Sequence, residues 1–261
     1  VHRVLERAAP RGYRNDGRPQ KAHPEHVGRL PLDVMRAHVD DALEAELGAN
    51  RRRGHAMLAG AGFGDDPRLA HAAGKDPLAF RQALMGNHPR HLAVLNAVAE
   101  RVGWGRPAAP VNGQAVFRGL AHTHGFGSYV AACAEVSVSD KGELKIHRIV
   151  AATDCGHAVN PQQIEMQVEG SFVYGLSAAL HSECTVKNGR IEQENFDTYQ
   201  VLRMDEMPKV ETIILQSGGF WGGVGEPTIA VAAPAVLNAI FAATGKRVRH
   251  LPLKHADLRR A

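Results

Sequence analysis

The sequence contains few cysteines, no long apolar run and no large excess of one charge, and each absence excludes a class of protein. Its three cysteines, Cys133, Cys155 and Cys184, lie far apart in a chain of 261 residues. Neither their number nor their spacing suits a disulfide framework or the CxxC pattern of a metal site. No apolar stretch reaches the roughly 18 residues that a bilayer crossing requires. The sequence therefore predicts no membrane span.

Charge is nearly balanced, with 31 basic residues against 27 acidic ones and a formal net charge of +4. No basic stripe is interleaved with aromatic residues, so nucleic acid is not an expected partner. Hydrophobic residues make up 44% of the chain, which is enough for a packed core. The chain begins at Val1 with neither methionine nor signal peptide, and we expect a fragment, a processed chain or a truncated sequence.

The N-terminal quarter differs from the rest in composition. Residues 1–30 are rich in Arg, His, Pro and Gly and show little periodicity, so they are predicted to be irregular. Residues 31–47 repeat apolar side chains at every fourth position, which predicts an amphipathic helix. We therefore divide the chain into a divergent N-terminal segment, residues 1–69, and a main unit, residues 70–261.

Capping signals locate the helices of the main unit. The Asp-Pro pair at Asp76 suits an N-cap and a first helical position, which predicts a helix over 77–85. A second helix is predicted over 89–102, ending at Gly103, and a third begins after Asn160. The third repeats apolar residues every four positions, and its two glycines destabilise it unless a neighbour packs closely against them.

A period of two predicts two hairpins. The first pairs 128–138 with 144–153, and the second pairs 183–187 with 190–194 through an Asn-Gly type I′ turn. The remaining elements are a strand over 209–216 and a helix over 234–244. This order of elements predicts an α+β fold with helices packed on mixed or antiparallel sheets.

The loop at 222–227 reads GGVGEP and holds a single carboxylate, Glu226, between a glycine and Pro227. Glycines let the backbone come close to a bound group, and Pro227 favours an extended conformation at Glu226. A carboxylate presented in this way can serve as a general base. The same pattern also fits a turn whose glutamate caps the helix that follows.

Three other groups have reactive or aromatic side chains. His122 and His124 share a face if they lie on a strand, but two histidines without a third ligand favour a pocket or structural role over a metal or hydrolytic site. No oxyanion arrangement can be identified beside Cys155 and His157, so a Cys–His nucleophile is not favoured. The Phe-Trp pair at 220–221 either lines a pocket for flat substrates or belongs to the core.

Several segments occur together in an order that resembles a known family. They are 153–161 (TDCGHAVNP) with 167–170 (QVEG), 194–199 (ENFDTY), 223–227 (GVGEP), 118–131 (RGLAHTHGFGSYVA) and the helix pair at 76–105. Together they resemble the C-terminal part of the molybdenum cofactor-binding subunit of the xanthine oxidase/aldehyde oxidase family. The branch that they most resemble is the isoquinoline 1-oxidoreductase β-subunit type. The likeness extends over roughly residues 70–255, and residues 1–69 do not fit it.

The resemblance implies a chemistry and a set of site residues. Members of this family hydroxylate an aldehyde or an N-heteroaromatic carbon with oxygen taken from water, and a glutamate acts as the base. The resemblance gives that role to Glu226. It also implies that the backbone amides of Gly223, Val224 and Gly225 approach the ligands of the metal. Gln167 is then a contact to the pterin, with an amide on a helix surface as the alternative.

Three nearby polar residues are expected to be structural. Asp154 can accept a hydrogen bond from the backbone of its turn, and Asn160 suits an N-cap. Glu169 is expected on a charged, solvated helix face.

The resemblance also implies a cofactor and partners. It implies a molybdenum–molybdopterin cofactor, in the cytosine dinucleotide form, and iron–sulfur clusters on a [2Fe-2S] small subunit. The subunit in this family is much longer than 261 residues, and its cofactor lies between two large domains. We therefore expect this chain to supply Glu226 and part of one wall of the site. The alternative is a truncated, non-catalytic fragment without cofactor, and the compartment stays open between bacterial periplasm and cytoplasm.

Overall fold

The computed structural model describes residues 66–260. The helices are α1 (Asp66–Ala72), α2 (Pro77–Leu84), α3 (Pro89–Val102), α4 (Pro161–Leu180) and α5 (Ile229–Thr244). The strands are β1 (Phe117–Gly125), β2 (Ser128–Val138), β3 (Leu144–Asp154), β4 (Val186–Lys187), β5 (Arg190–Ile191) and β6 (Lys209–Leu215). The helix predicted over 31–47 and the irregular segment before it lie outside the described residues.

Four strands form one mixed sheet, which confirms the predicted α+β class. Their order is β1-β2-β3-β6, and β4 pairs only with β5 in a small separate hairpin. The β1–β2 and β2–β3 pairs are antiparallel. β6 is parallel to β3, because α4 carries the chain back across the sheet between them. No helix of the described part combines the length and apolar character that a bilayer crossing requires.

Both faces of the sheet are covered. On one face, Val130, Ala132 and Val136 of β2 pack with α4 and α5. On the other face, Ala131 and Cys133 pack with α3. A strand buried on both sides carries few polar residues, which explains the apolar run in β2.

Helix caps appear where the sequence predicts them. The Asp76 carboxylate accepts hydrogen bonds from the amides of Leu78 and Ala79 at 3.0 and 2.9 Å. Gly103 closes α3 in the left-handed conformation with φ of 64°, which a glycine adopts without strain. The Asn160 side chain accepts from the amide of Gln163 at 3.2 Å. These local predictions are confirmed.

The structure differs from the prediction at three elements. β1 was not predicted as a strand, because Gly119 and two histidines weaken its pattern. A Cβ at Gly119 would collide with the backbone of Ala235 and Ala239 in α5, so this glycine allows the helix to cross the strand closely. α5 begins at Ile229 rather than at Pro234, which lies inside the helix. The predicted strands of the second hairpin shorten to two residues each.

The two glycines of α4 have different surroundings. A Cβ at Gly175 would lie 2.5 Å from the Cβ of Ala232 in α5, so this glycine allows the two helices to approach. A Cβ at Gly170 would have no neighbour within 4 Å. Close packing against a neighbour is therefore found at Gly175 and is absent at Gly170.

Alternating charges cross the sheet from edge to edge. Glu135 on β2 pairs with Arg118 on β1 at 2.8 Å and with Arg148 on β3 at 3.5 Å. Arg148 also donates two hydrogen bonds to Glu211 on β6, at 3.0 and 2.8 Å. The hydrogen bonds from Arg148 lower the pKa of Glu211 to about 2. This row of charges ties all four strands together.

Candidate active site at the glycine-rich loop

The candidate site lies where the two parallel strands end. Asp154 at the end of β3 pairs opposite Leu215 at the end of β6. The turn between β1 and β2 reaches the same edge of the sheet, since Tyr129 pairs with Asp154. Connections that follow the carboxyl ends of parallel strands commonly form ligand sites. The loop at 216–228 therefore meets two other connections here.

Hydrogen bonds to both connections hold the loop. The amide of Gly222 donates to the carbonyl oxygen of Cys155 at 2.8 Å, and the amide of Gly223 donates to that of Phe126 at 2.8 Å. The hydroxyl of Ser128 donates to the carbonyl oxygen of Gly223 at 2.6 Å. Sequence reasoning missed Phe126 and Ser128, because nothing local links them to a loop almost a hundred residues away.

Glycine is required at two of these contacts. A Cβ at Gly222 would collide with the hydroxyl of Ser128. Gly156 has φ of +87°, and a Cβ there would collide with the carbonyl oxygen of Phe220. Any side chain at either position would push the connections apart.

The β1–β2 turn contains a strained residue. Phe126 has φ of 54° and Gly127 has φ of 79°, the combination found in tight hairpin turns. A bulky residue in the left-handed region costs about 1–3 kcal/mol, and such strain clusters at functional sites. Phe126 is also the residue whose carbonyl oxygen accepts the hydrogen bond from the Gly223 amide.

Helix α4 brings two side chains against the loop. A Cβ at Gly225 would lie 3.3 Å from Oε1 of Gln167, so the Gln167 amide lies against this glycine. One turn further along α4, the hydroxyl of Ser171 donates to the carbonyl oxygen of Gly225 at 2.8 Å. The structure thus brings the predicted residues Gln167 and Gly225 together. Ser171 was missed, although its spacing of four from Gln167 places both on one helix face.

Successive backbone amides of the loop are available to a ligand. Within residues 66–260, the amides of Val224, Gly225 and Glu226 have no hydrogen-bond acceptor. The amide of Gly223 differs, because it donates a hydrogen bond to the carbonyl oxygen of Phe126. Consecutive amides of this kind suit anionic oxygens. The donors present therefore fit the oxygen ligands of a metal centre or the phosphates of a pterin cofactor.

Glu226 is exposed to solvent in this chain. It lines neither the cavity beside α5 nor the groove between α3 and β6. Neither of these two cavities therefore encloses the Glu226 carboxylate. The alternative of a helix cap is also unsupported, since the N-cap of α5 is Thr228. The carbonyl oxygen of Glu226 accepts from the amide of Ile229 at 3.0 Å, which ties the residue to the start of the helix.

Asp154 connects the two loops of the site. It is 1% exposed and accepts hydrogen bonds from Arg90 Nε at 2.8 Å, the Gly156 amide at 2.9 Å and the Ser217 hydroxyl at 2.9 Å. Burial raises the pKa of this carboxyl, but these three hydrogen bonds outweigh burial and hold the pKa below its usual value. The predicted bond to the turn backbone is confirmed. Arg90 and Ser217 were missed because each is more than 60 residues away in sequence.

Comparison with known proteins finds relatives that match the larger part of this chain. A family model described as the molybdopterin cofactor-binding domain matches residues 90–208. The chain is 32% identical over 190 residues to the beta subunit of isoquinoline 1-oxidoreductase from Brevundimonas diminuta. It is 32% identical over 211 residues to the membrane-bound aldehyde dehydrogenase (pyrroloquinoline-quinone) of Gluconacetobacter polyoxogenes, and 31% over 208 residues to a subunit of nicotinate dehydrogenase from Pseudomonas putida.

The chain is similar to part of the molybdenum-binding subunits of the xanthine oxidase family. The three alignments cover 72%, 74% and 74% of this chain but only 24%, 27% and 17% of the respective relatives. The chain therefore spans about a quarter or less of their length. The family-model match ends at residue 208, before the loop that carries Glu226.

Aromatic side chains surround the loop at 222–227. Phe220, Trp221 and Phe126 are 91%, 65% and 55% exposed. The Trp221 ring stacks on that of His157, with centroids 5.9 Å apart and planes at 25°. The alternative that Phe220 and Trp221 belong to the core is therefore wrong.

The two histidines of β1 belong to a buried ring cluster. His91 of α3 contacts His122 and His124, with ring centroids 5.6 and 6.2 Å apart, and Tyr129 at 4.7 Å. Burial lowers the pKa of His91 to about 3 and lowers that of His122 well below its ordinary value. The described part of the chain contains no group of three or more His, Cys, Asp or Glu side chains placed to hold a metal ion. The histidine-based metal or hydrolytic site is therefore not supported.

Cys155 does not have the surroundings of a nucleophile. Its Sγ lies 3.9 Å from the backbone oxygen of His157, and the ring of His157 stacks on Trp221. Burial raises the pKa of the Cys155 thiol, which disfavours the reactive thiolate.

Proposed function

We propose that this chain forms the base-bearing wall of a molybdenum hydroxylase active site. The observation that carries the proposal is the loop at 222–227, which three separate elements hold so that it presents Glu226 beside unused backbone amides and Gln167. Aldehydes and N-heteroaromatic compounds are the proposed substrates, with the inserted oxygen taken from water. Relatives named for isoquinoline, aldehyde and nicotinate support this substrate class.

The residues of the candidate site have distinct proposed roles. When bound, a molybdenum–molybdopterin group supplies the metal centre that takes two electrons from the substrate. Glu226 accepts the proton from the water-derived oxygen as it attacks the substrate carbon. The amides of Val224 and Gly225 donate hydrogen bonds to anionic oxygens, and Gln167 contacts the pterin. Glycines 222 and 223 hold the loop against its neighbours.

The cofactor form and the electron acceptor extend this proposal. We infer the cytosine dinucleotide form of the cofactor, and electron transfer to iron–sulfur clusters on a [2Fe-2S] small subunit. Relatives that carry subunit designations in their names support an assembly of separate chains. The exposed rings of Phe220 and Trp221 suit contact with a flat substrate.

A chimera tests the role of Glu226. Residues 66–260 would replace the aligned segment of the Brevundimonas diminuta relative, and isoquinoline oxidation would be measured together with molybdenum content. A general base contributes about 10²–10⁴ in rate. We therefore expect Glu226→Gln to lower kcat by about that factor while molybdenum content stays unchanged.

Glu169→Gln is the matched control, because Glu169 is an exposed glutamate of α4 in the same chimera. It should change kcat by less than about twofold, in line with the small effect of surface substitutions. A folded, molybdenum-loaded chimera that keeps full activity with Glu226→Gln would contradict the proposal.

The second candidate function is a non-catalytic fragment without cofactor. The exposure of Glu226 favours it, because a base that works on a buried substrate is normally shielded from water. Failure of the folded chimera to retain molybdenum would support this alternative.

A further inference from the structure

The outer edge of strand β6 is open. β6 is the last strand in the order β1-β2-β3-β6 and pairs with β3 on one side. On its other side, no strand and no backbone hydrogen bond from the described part of the chain reaches it. Such an edge presents a row of unpaired N–H and C=O groups, which can pair with a further strand.

β6 lacks the features that usually keep an open edge from pairing. The strand has seven residues, and positions 210–215 contain no proline, glycine or lysine. Its register with β3 continues without a bulge. Proteins commonly protect an edge with prolines, lysines, bulges or very short strands. The edge of β6 is therefore suited to pairing with another strand.

A groove of about 740 Å³ lies beside this edge. Helix α3 forms one wall with Ala97, Glu100 and Arg101, and residues 211–214 of β6 form the other. Arg90, at the start of α3, reaches the candidate active site through Asp154. Arg101 lies about 16 Å further along the axis of α3, so the groove is separate from that site.

Both faces of β6 carry apolar side chains that the fold covers only in part. Val210 and Ile214 pack in the cluster that contains α4 and α5, whereas Ile213 and Leu215 pack with α3. All four are only partly buried. Facing apolar side chains on paired strands stabilise a sheet, so an added strand would gain side-chain contacts as well as backbone hydrogen bonds.

Two adjacent side chains of opposite charge lie on the α3 wall. Glu100 is exposed, and its carboxylate has no ion-pair partner among residues 66–260. The Arg101 side chain is 60% exposed, and its Nε donates to Glu211 at 3.0 Å. A two-fold axis that brings this wall against its own copy can place each Glu100 opposite an Arg101. The charges of the wall are therefore self-complementary.

We propose that β6 pairs with β6 of a second copy of this chain, antiparallel and about a two-fold axis. A register centred on Thr212 pairs all seven residues of the strand, and it places Val210 opposite Ile214. The axis stands perpendicular to the joined sheet, so both α3 helices lie on the same face. Glu100 of each copy then faces Arg101 of the other. The proposal does not depend on cofactor binding at the glycine-rich loop.

Sedimentation velocity of the 261-residue chain tests the association. Between about 1 and about 100 µM, a range that populates contacts of modest affinity, we expect conversion from monomer to dimer. Hydrogen exchange followed by mass spectrometry at both concentrations locates the contact. Amides of residues 209–215 should exchange more slowly in the dimer, because pairing protects the open edge.

Charge variants test the orientation of the two copies. Glu100→Lys and Arg101→Glu should each weaken dimerisation by at least about fivefold, because each places like charges opposite one another on both sides of the axis. An equimolar mixture of the two variants should recover the dimer, since every facing pair is then opposite in charge. Glu165→Lys makes the same change at an exposed glutamate of α4 and should leave dimerisation unchanged. Circular dichroism would show that each variant is folded.

Four results would overturn the proposal. The first is a chain that stays monomeric at about 100 µM, including a monomer whose β6 amides are already protected by another segment of the same chain. The second is a dimer in which residues 209–215 exchange at the monomer's rate. The third is a mixture of Glu100→Lys and Arg101→Glu that associates no more tightly than either variant alone. The fourth is an equal loss of dimer in Glu165→Lys and Glu100→Lys.

Discussion

At the scale of single residues, burial decides which side chains carry the chemistry of this chain. Asp154 is buried and fully bonded, so it positions two loops rather than exchanging protons. His91 is buried among other rings and stays neutral. Glu226 is the exposed member of the set, and in the proposed function this exposure leaves its carboxylate open to a bound ligand.

Burial of His91 predicts acid sensitivity. Below about pH 6.5, the unfolded chain binds a proton at this histidine. The folded chain does so only near pH 3, because burial and the neighbouring His124, His88 and Arg90 lower the pKa of His91 to about 3. Stability is therefore complete above about pH 6.5 and falls as the pH decreases toward 3. The loss of unfolding free energy due to His91 approaches about 1.4 kcal/mol for each unit of pH.

Denaturant unfolding between pH 7 and 5 measures this effect. His91→Phe keeps a ring in the cluster and removes the proton site, so the dependence of unfolding free energy on pH should become shallower. His250→Gln, at an exposed histidine, should leave it unchanged. An identical pH dependence in wild type and His91→Phe would show that this histidine does not contribute.

At the scale of elements, close approach of backbones determines where glycine is needed. α5 lies against β1 at Gly119 and against α4 at Gly175. The first contact places the middle of α5 on the sheet, and the second places its first turn against α4. The loop with Glu226 leads directly into this helix. The position of the loop is therefore linked to the packing of α5.

The two glycines of α4 provide a paired prediction. Gly175→Ala should destabilise the fold by about 1–3 kcal/mol, because its Cβ would overpack the contact with Ala232. Gly170→Ala should stabilise the fold by about 0.5–1 kcal/mol, since the position is open and alanine favours helix. Thermal unfolding of both variants measures the difference. Similar effects of the two substitutions would contradict the packing described here.

Local signals predicted most elements, and long-range contacts escaped prediction. The caps at Asp76 and Gly103 depend only on neighbouring residues, so the sequence located both helix ends. Strand β1 was not predicted, because Gly119 is needed for contact with a helix more than a hundred residues away. The pair of Arg90 and Asp154 escaped for the same reason. The residues of the site could be named from the resemblance. The hydrogen bonds by which Ser128, Ser171 and Phe126 hold the loop could be found only in the structure.

At the scale of the whole molecule, the chain corresponds to a small share of its relatives, between 17% and 27% of their length. The surface around the loop is apolar and exposed, with Phe126, Phe220 and Trp221 open to solvent. Large exposed apolar groups mark surfaces that contact other molecules or segments. The site is therefore one wall of a larger cavity in the proposed function.

We predict that the 261-residue chain alone shows little or no turnover. Enclosure of the cofactor requires walls that the described residues do not supply, because Glu226 and the loop are exposed. The chain would be produced in a host that makes the molybdenum cofactor, and metal content and substrate oxidation would be measured. Stoichiometric molybdenum together with oxidation of an aldehyde or N-heteroaromatic compound would refute this prediction.

The anchoring of the loop at 222–227 has a consequence for protein engineering. Its hydrogen bonds come from the β1–β2 turn, the end of β3 and helix α4, so a transplanted hexapeptide would arrive without the partners that give it shape. A graft into another scaffold must carry all three supports. Conversely, a library that varies only Phe126, Ser128 and Ser171 would shift the position of the Glu226 carboxylate while the sequence of the loop stays the same.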